Sequence, residues 1–305
     1  MRMSRLLLIL GGLIAFGAPA FLALTPTTWR IASLFILSLI IASGLHIVVG
    51  LARVVSLCHF SLVGVGAYTA GYLSLHQGMP PLLSIAIGIV ATGSVALVVA
   101  WITQPLEEHY LTLATLAANE ILVNIFRGAT SFTGGVNGMI GVPPLSLWGR
   151  ELLTPAIYYP VVAIAGLAVI YFVYRLESWQ VGHAFRAMGD IGIQIESLGI
   201  SHGRLRTFGF VLGGLIAGLA GGLMAHIDGF VGPESFGIGY SMLYLCFLVL
   251  FGVGHLRGVF ITAGITVIGA EALRSLFAWQ MVLVSAAAIV TLVARNTIRS
   301  ARNVD

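Results

Sequence analysis

Long apolar runs, separated by charges and by Gly/Pro clusters, fill this chain and limit what it can become. A run of about 20 residues crosses a hydrocarbon core of about 30 Å at 1.5 Å per residue. Inside lipid the backbone must satisfy its own N–H and C=O groups, so each run is expected to be a helix. Spans are expected near 6 to 24, 31 to 52, 54 to 75, 82 to 103, 110 to 127, 155 to 174, 207 to 227, 240 to 255, 258 to 274 and 278 to 294. The first could pass for a signal peptide, but its apolar run is long for one and reads as an uncleaved span. The expected fold class is all-α, a polytopic membrane protein with about ten transmembrane helices. Cys58-His59, Gly252-Val253-Gly254 and Arg257-Gly258 mark the third, eighth and ninth spans as candidates for broken or re-entrant helices.

Composition supports this class. Of 305 residues, 58% are hydrophobic and 9% charged, against about 25% charged in a soluble domain. Glycine supplies 38 residues, which suits close packing of membrane helices. Gly213-Gly214, Ala217-Gly218 and Gly221-Gly222 recur about every four residues and predict a helix-packing face. Cys58 and Cys246 lie inside apolar runs, where small packing residues are expected rather than a disulfide or a metal site. No catalytic, cofactor or metal motif stands out. The chain has no Lys and so no glycine-rich nucleotide loop ending in one, which leaves any driving energy to be supplied from elsewhere.

Arginine sets the expected orientation. Threading the spans with the N-terminus inside places 11 of the 15 Arg in the cytoplasm, with only Arg30, Arg127, Arg150 and Arg274 outside. Both termini are then cytoplasmic. This topology explains the basic excess without nucleic acid. Two long connections, 128 to 154 and 226 to 239, face outward. A polar insert at about 175 to 206, carrying Arg175, Arg186, Arg204 and Arg206, faces inward. Within it Phe185, Met188, Ile191, Ile195 and Leu198 fall roughly on one helical face, with Gly199 as a stop. Such a helix serves as an interfacial brace or as a docking knob for a cytoplasmic partner.

Gly182-x-x-Phe185-Arg186-Ala187, followed by Glu196-Ser197-Leu198-Gly199-Ile200, resembles the coupling segment of the permease subunits of branched-chain amino-acid ABC transporters, most of all the LivM type. Further matches follow in order: Ser56-Leu57-Cys58-His59-Phe60 with Gly64-Val65-Gly66-Ala67-Tyr68, Tyr110 to Ala114 leading to Glu120-Ile121, Thr133 to Gly138, Ala217 to Gly222, Pro233 to Phe236 and Gly252 to Gly254. The likeness covers roughly residues 40 to 275. It implies a single permease domain over 1 to 305 in a bacterial inner membrane. The implied partners are a sister permease, two cytoplasmic ATPase subunits and an external substrate-binding protein. Gly182, Phe185, Arg186, Glu196 and Gly199 would couple to the ATPases. Ser56, His59, Tyr68, Glu120 and Asn137 are candidates for the translocation path. The family's pattern is broken by His46 in place of Asn, by Arg53-Val54, and by Cys58 in place of Gly. These changes put the substrate in question, with urea, short amides or other amino-acid-like solutes as alternatives. The two halves, 31 to 127 and 207 to 294, flank the insert in the manner of an inverted repeat.

Glu120 sits in the middle of the fifth expected span, where a charge costs about 2.5–3.5 kcal/mol on insertion scales. It must face protein or water. One reading is a structural acid hydrogen-bonded to a neighbouring helix; another is a path residue or a proton carrier, which would make the protein a stand-alone proton-coupled secondary transporter. His59 reads either as a packing histidine or as a path residue.

Overall fold

A computed structural model describes residues 25–147, 149–190 and 201–272. α1 spans Pro26–Leu45 and widens into a π turn over His46–Leu51. α2 (His59–Gln77), α3 (Pro81–Thr103) and α4 (Glu108–Gly128) follow. The short α5 (Thr130–Thr133), a 3-10 turn (Gly135–Asn137) and strands β1 (Met139–Ile140), β2 (Ser146–Leu147) and β3 (Arg150–Glu151) lead to α6 (Pro155–Ser178) and α7 (Gln180–Asp190). α8 (His202–Asp228), β4 (Phe230–Val231), a 3-10 turn (Pro233–Phe236), α9 (Ile238–Gly252) and α10 (Leu256–Ala272) complete the described chain.

Five helical stretches are both long and apolar enough to cross a membrane: Pro26–Leu51, Pro81–Thr103, Pro155–Ser178, His202–Asp228 and Pro233–Gly252. The expected count of about ten is therefore not reached among the described residues. The runs 6 to 24 and 278 to 294 lie outside them. α2 and α4 have the length but fall outside the five, and α4 carries Asn119, Glu120, Asn124 and Arg127. The apolar part of α10, Leu256–Gly269, is shorter than a full span.

α8 is the centre of the bundle and packs on α1, α2 and α3; α1 also packs on α6 and α10. The glycine stripe does what its spacing predicts. A methyl group added at Gly66 of α2 would fall 2.6 Å from the Gly218 Cα of α8, and one at Gly218 would fall 2.8 Å from the Thr92 Oγ1 of α3. Backbones this close gain dispersion contacts that larger side chains would prevent.

The third span is broken, as its Cys58-His59 pair suggested, and the break positions the functional residues. Instead of a helix from 54, the chain unwinds over 52–58 and α2 begins at His59. Ala52 N–H donates back to Ile47 (2.9 Å) and Val54 N–H to Val48 (3.0 Å). Leu57 N–H is taken by the Thr115 hydroxyl of α4 (3.2 Å) and Phe60 N–H by the Ser241 hydroxyl of α9 (3.1 Å). A broken helix inside a bundle needs these side-chain acceptors, because its first N–H groups have no intrahelical partner. The segment is mostly buried, yet Arg53 within it is exposed and adopts φ 57°, a left-handed conformation that strains a residue with a Cβ.

The two connections expected outside the membrane form one cap. β1 and β4 pair antiparallel, with Met139 opposite Val231 and Ile140 opposite Phe230. Gly141 and Val142 N–H groups both donate to the Gly229 carbonyl (3.0 and 3.1 Å). Gly138 has φ 72°, and a Cβ there would meet the Val231 carbonyl at 2.5 Å, so glycine is required at this crossing.

Candidate functional site

At the end of the bundle opposite the cap, four segments converge: the π turn of α1, the C-terminus of α6, α7, and the turn between α9 and α10. They enclose a cleft of about 240 Å³ whose lining includes Arg53, Glu177, Phe185, Arg186, Gly254 and His255. Its polar anchor is His46. The imidazole is fully buried and its Nε2–H donates to the Glu177 carboxylate at 2.8 Å, while Nδ1 has no partner among the described residues. A methyl group at Gly50 would strike this ring at 2.9 Å, so the π turn closes tightly around it. Glu177 lies three residues before α7. The hydrogen bond thus joins the start of the polar insert to the helix that runs into the unwound segment.

Gly182, Phe185 and Arg186, three of the expected coupling residues, come together here. Gly182 is buried, and a Cβ on it would collide with the Leu176 and Glu177 carbonyls, which lets α7 fold back against α6. Phe185 is fully buried; a methyl added at Gly209 of α8 would lie 3.2 Å from its ring. Arg186 is exposed and donates from Nη2 to His183 Nδ1 at 2.7 Å. α7 is therefore a knob rooted by one aromatic side chain with Arg186 exposed on its outer surface. Glu196 and Gly199 lie outside the described residues, as does the continuation of the amphipathic face past Asp190.

The five expected path residues are not brought into one cavity. Ser56 is buried in the unwound segment with its hydroxyl 3.4 Å from Cys58 Sγ. His59 is buried at the start of α2, donating from Nε2 to the Ile41 carbonyl at 3.1 Å. Tyr68 sits deeper, its ring 4.7 Å from Phe126 and 5.9 Å from Phe236, and its hydroxyl has no partner among the described residues. Asn137 is exposed in the cap. Glu120 points out of the bundle, and among the described residues its carboxylate meets the Asn119 amide of its own helix at 3.5 Å and no neighbouring helix of this chain.

Several functional-looking residues escape sequence reasoning. Glu177 reads as one more charge in a polar insert and His255 as an ordinary span end, while Arg53 carries a signal only as a departure from the family pattern. His46 carries a signal as a departure from the family pattern, but its partner lies 131 residues away. His226 ties the cap to the bundle: its Nδ1–H donates to the Pro143 carbonyl (2.7 Å) and its Nε2 faces the Ser84 hydroxyl (3.1 Å).

Arginine also separates the two ends. Arg53, Arg175, Arg186, Arg204, Arg206 and Arg257 lie at the cleft end, whereas Arg30, Arg127 and Arg150 lie at the cap end. An apolar helical bundle, broken at a buried polar segment and bearing a polar knob at one end, is built as a membrane permease. The chain belongs to the family described as branched-chain amino acid transport system / permease component, which it matches over residues 27–294. It is 26% identical over 291 residues to the high-affinity branched-chain amino acid transport system permease protein LivM of Escherichia coli K12, covering 88% of this chain and 68% of that one. The LivM protein of Salmonella typhimurium is 25% identical over 288 residues, covering 87% of this chain and 68% of that one. The autoinducer 2 import system permease protein LsrC of Yersinia pseudotuberculosis is 27% identical over 226 residues, covering 72% of this chain and 60% of that one. No solved structure matches.

Proposed function

We propose that this protein is the membrane-spanning permease subunit of an ATP-driven importer for branched-chain or related hydrophobic amino acids. It acts as a single permease domain in a bacterial inner membrane, with both termini and the cleft end in the cytoplasm. Two ATPase subunits, a sister permease and an external substrate-binding protein complete the assembly. The observation that carries this reading is the family match over residues 27–294. The sorting of arginine to the cleft end supports the orientation.

The geometry supplies a mechanical route. Closure of the ATPases pushes on α7 and the segment that holds Glu196 and Gly199. Phe185 carries the push into α8, and Glu177 carries it through His46 into the π turn of α1. Beyond that turn lies the unwound segment with Ser56 and His59, which are buried in this conformation and join the path as the helices rock. Tyr68, Glu120 and Asn137 complete the proposed path. The protein itself performs no bond chemistry. The likeness to a permease named for autoinducer 2 import favours a second reading of the cargo, as another small polar solute.

Reconstitution with the ATPases, sister permease and binding protein tests the driving force. Leucine uptake is expected to persist when the proton gradient is collapsed and ATP is maintained, and Glu120→Gln is expected to keep most of it, since Gln preserves shape while removing the titratable group. Loss of accumulation on collapse, with ATP unchanged, would instead identify a proton-coupled secondary transporter.

A further inference from the structure

The outer face of α4 is unlike the other outward helix faces among the described residues. α3 turns Val90, Leu97 and Trp101 outward, and α6 turns Ile157, Ile164 and Tyr171 outward, surfaces that lipid tails accept. α4 turns out Leu113, Ala117, Glu120, Ile121 and Asn124. Glu120 is near the middle of this helix, about 18 Å from its start at 1.5 Å per residue. Asn124 folds its amide back onto the Glu120 backbone carbonyl at 2.8 Å, which leaves the carboxylate only the long 3.5 Å contact to the Asn119 amide of its own helix. Next to this stripe, an apolar groove of about 580 Å³ runs between α3 and α4, lined by Val98, Ile102, Ala114, Ala117 and Ile121.

Lipid can fill such a groove, but it offers a carboxylate no donor, and a charge at this depth facing hydrocarbon costs several kcal/mol. Lipid is therefore a poor cover for the whole face. A second copy of this chain is a poor cover as well. A two-fold axis along the membrane normal keeps equivalent residues at equal depth, so α4 against α4 would set two Glu120 carboxylates opposite each other. What fits is a different subunit, apolar where it fills the groove and bearing donors where it meets Glu120.

We propose that the α4 face and the adjoining groove form the docking surface for the sister permease, with Glu120 looking into the seam between the two subunits. This rests on the importer reading above and specifies which surface the partner takes. Glu120 then needs no neighbour within its own chain, because its neighbour is supplied by assembly.

The test co-expresses this chain with a differently tagged sister permease of the same family and places a photo-crosslinking residue at Leu113 or Ile121 of α4, or at Ile164 of α6 as a control. The expected result is an adduct carrying both tags from the α4 positions and none from Ile164. Glu120→Leu is expected to lower the yield of the two-subunit complex at least tenfold while the single chain still extracts as a monodisperse protein, and Glu120→Gln is expected to keep the complex. If the sister subunit co-purifies but crosslinks only from Ile164, or Glu120→Leu assembles as well as the unaltered chain, the surface is wrong while the importer reading stands. An α4 adduct of this chain with itself also overturns the proposal. If no sister permease co-purifies, the subunit reading fails and this inference with it.

Discussion

The two ends of the bundle solve the problem of closing off a membrane protein in different ways. At the cap, backbone pairs with backbone, β1 on β4 and two N–H groups on the Gly229 carbonyl, with the His226 side chain adding bonds to Pro143 and Ser84. At the cleft end, contact between segments depends on side chains, chiefly the His46–Glu177 pair and the buried Phe185 ring, around a space of about 240 Å³. Many backbone bonds must break together for the cap to move, whereas one side-chain hydrogen bond and one ring can shift while the helices stay whole. The cap is suited to present a fixed surface, and the cleft end to transmit displacement.

The sharpest way to break this comparison is to ask which end faces which compartment, since the effect is all or none. With Cys246 replaced by Ser and Cys58 buried, a membrane-impermeant thiol reagent applied to intact cells is expected to label Asn137→Cys and to reach Arg186→Cys only after permeabilisation. The opposite pattern would reverse the orientation and remove α7 from reach of any cytoplasmic ATPase.

A smaller effect separates transmission from fastening. His46→Ala removes a hydrogen bond to a charged group, worth about 1.5–3 kcal/mol, and His226→Ala removes neutral bonds worth about 1 kcal/mol. Both are expected to lower the melting temperature. Only His46→Ala is expected to raise the ATP hydrolysed per solute imported, because only that residue lies between the knob and α1. An equal change in coupling from both variants would mean the ends do not differ in role.

The helices and their packing were readable in the sequence because lipid imposes a local rule: a span must be apolar along its own length, and close backbones need small residues. Gly218 and Gly221 followed that rule into the centre of the bundle. The knob was readable for the same reason, as a polar interruption with Phe185 at its root. The break before α2 was marked by Cys58-His59, but its extent over 52–58 was not, because the groups that let the chain unwind are remote: Thr115 lies 58 residues from Leu57, and Ser241 lies 181 from Phe60. The cleft was hidden in the same way, since neither His46 nor Glu177 has meaning until tertiary structure joins them. Glu120 announced its cost in sequence, but only the fold tells which way it points.

The smallest expected effect concerns the ion pairs at the rim of the cap. Arg127 Nη2 lies 3.0 Å from Glu234 Oε1, yet these side chains are 40% and 75% exposed. Water and salt screen such a pair, and holding two long side chains in one geometry costs entropy, so its net worth is about 0–1 kcal/mol. Glu234→Gln is therefore expected to move the unfolding midpoint barely and to leave uptake within about twofold, because a change below 1 kcal/mol is worth less than tenfold in any equilibrium. The cap should hold through its backbone pairs without it. If Glu234→Gln instead abolishes uptake while the midpoint stays fixed, Glu234 contacts a partner at the cap surface, and that end is a recognition surface whose charges matter more than its fastening.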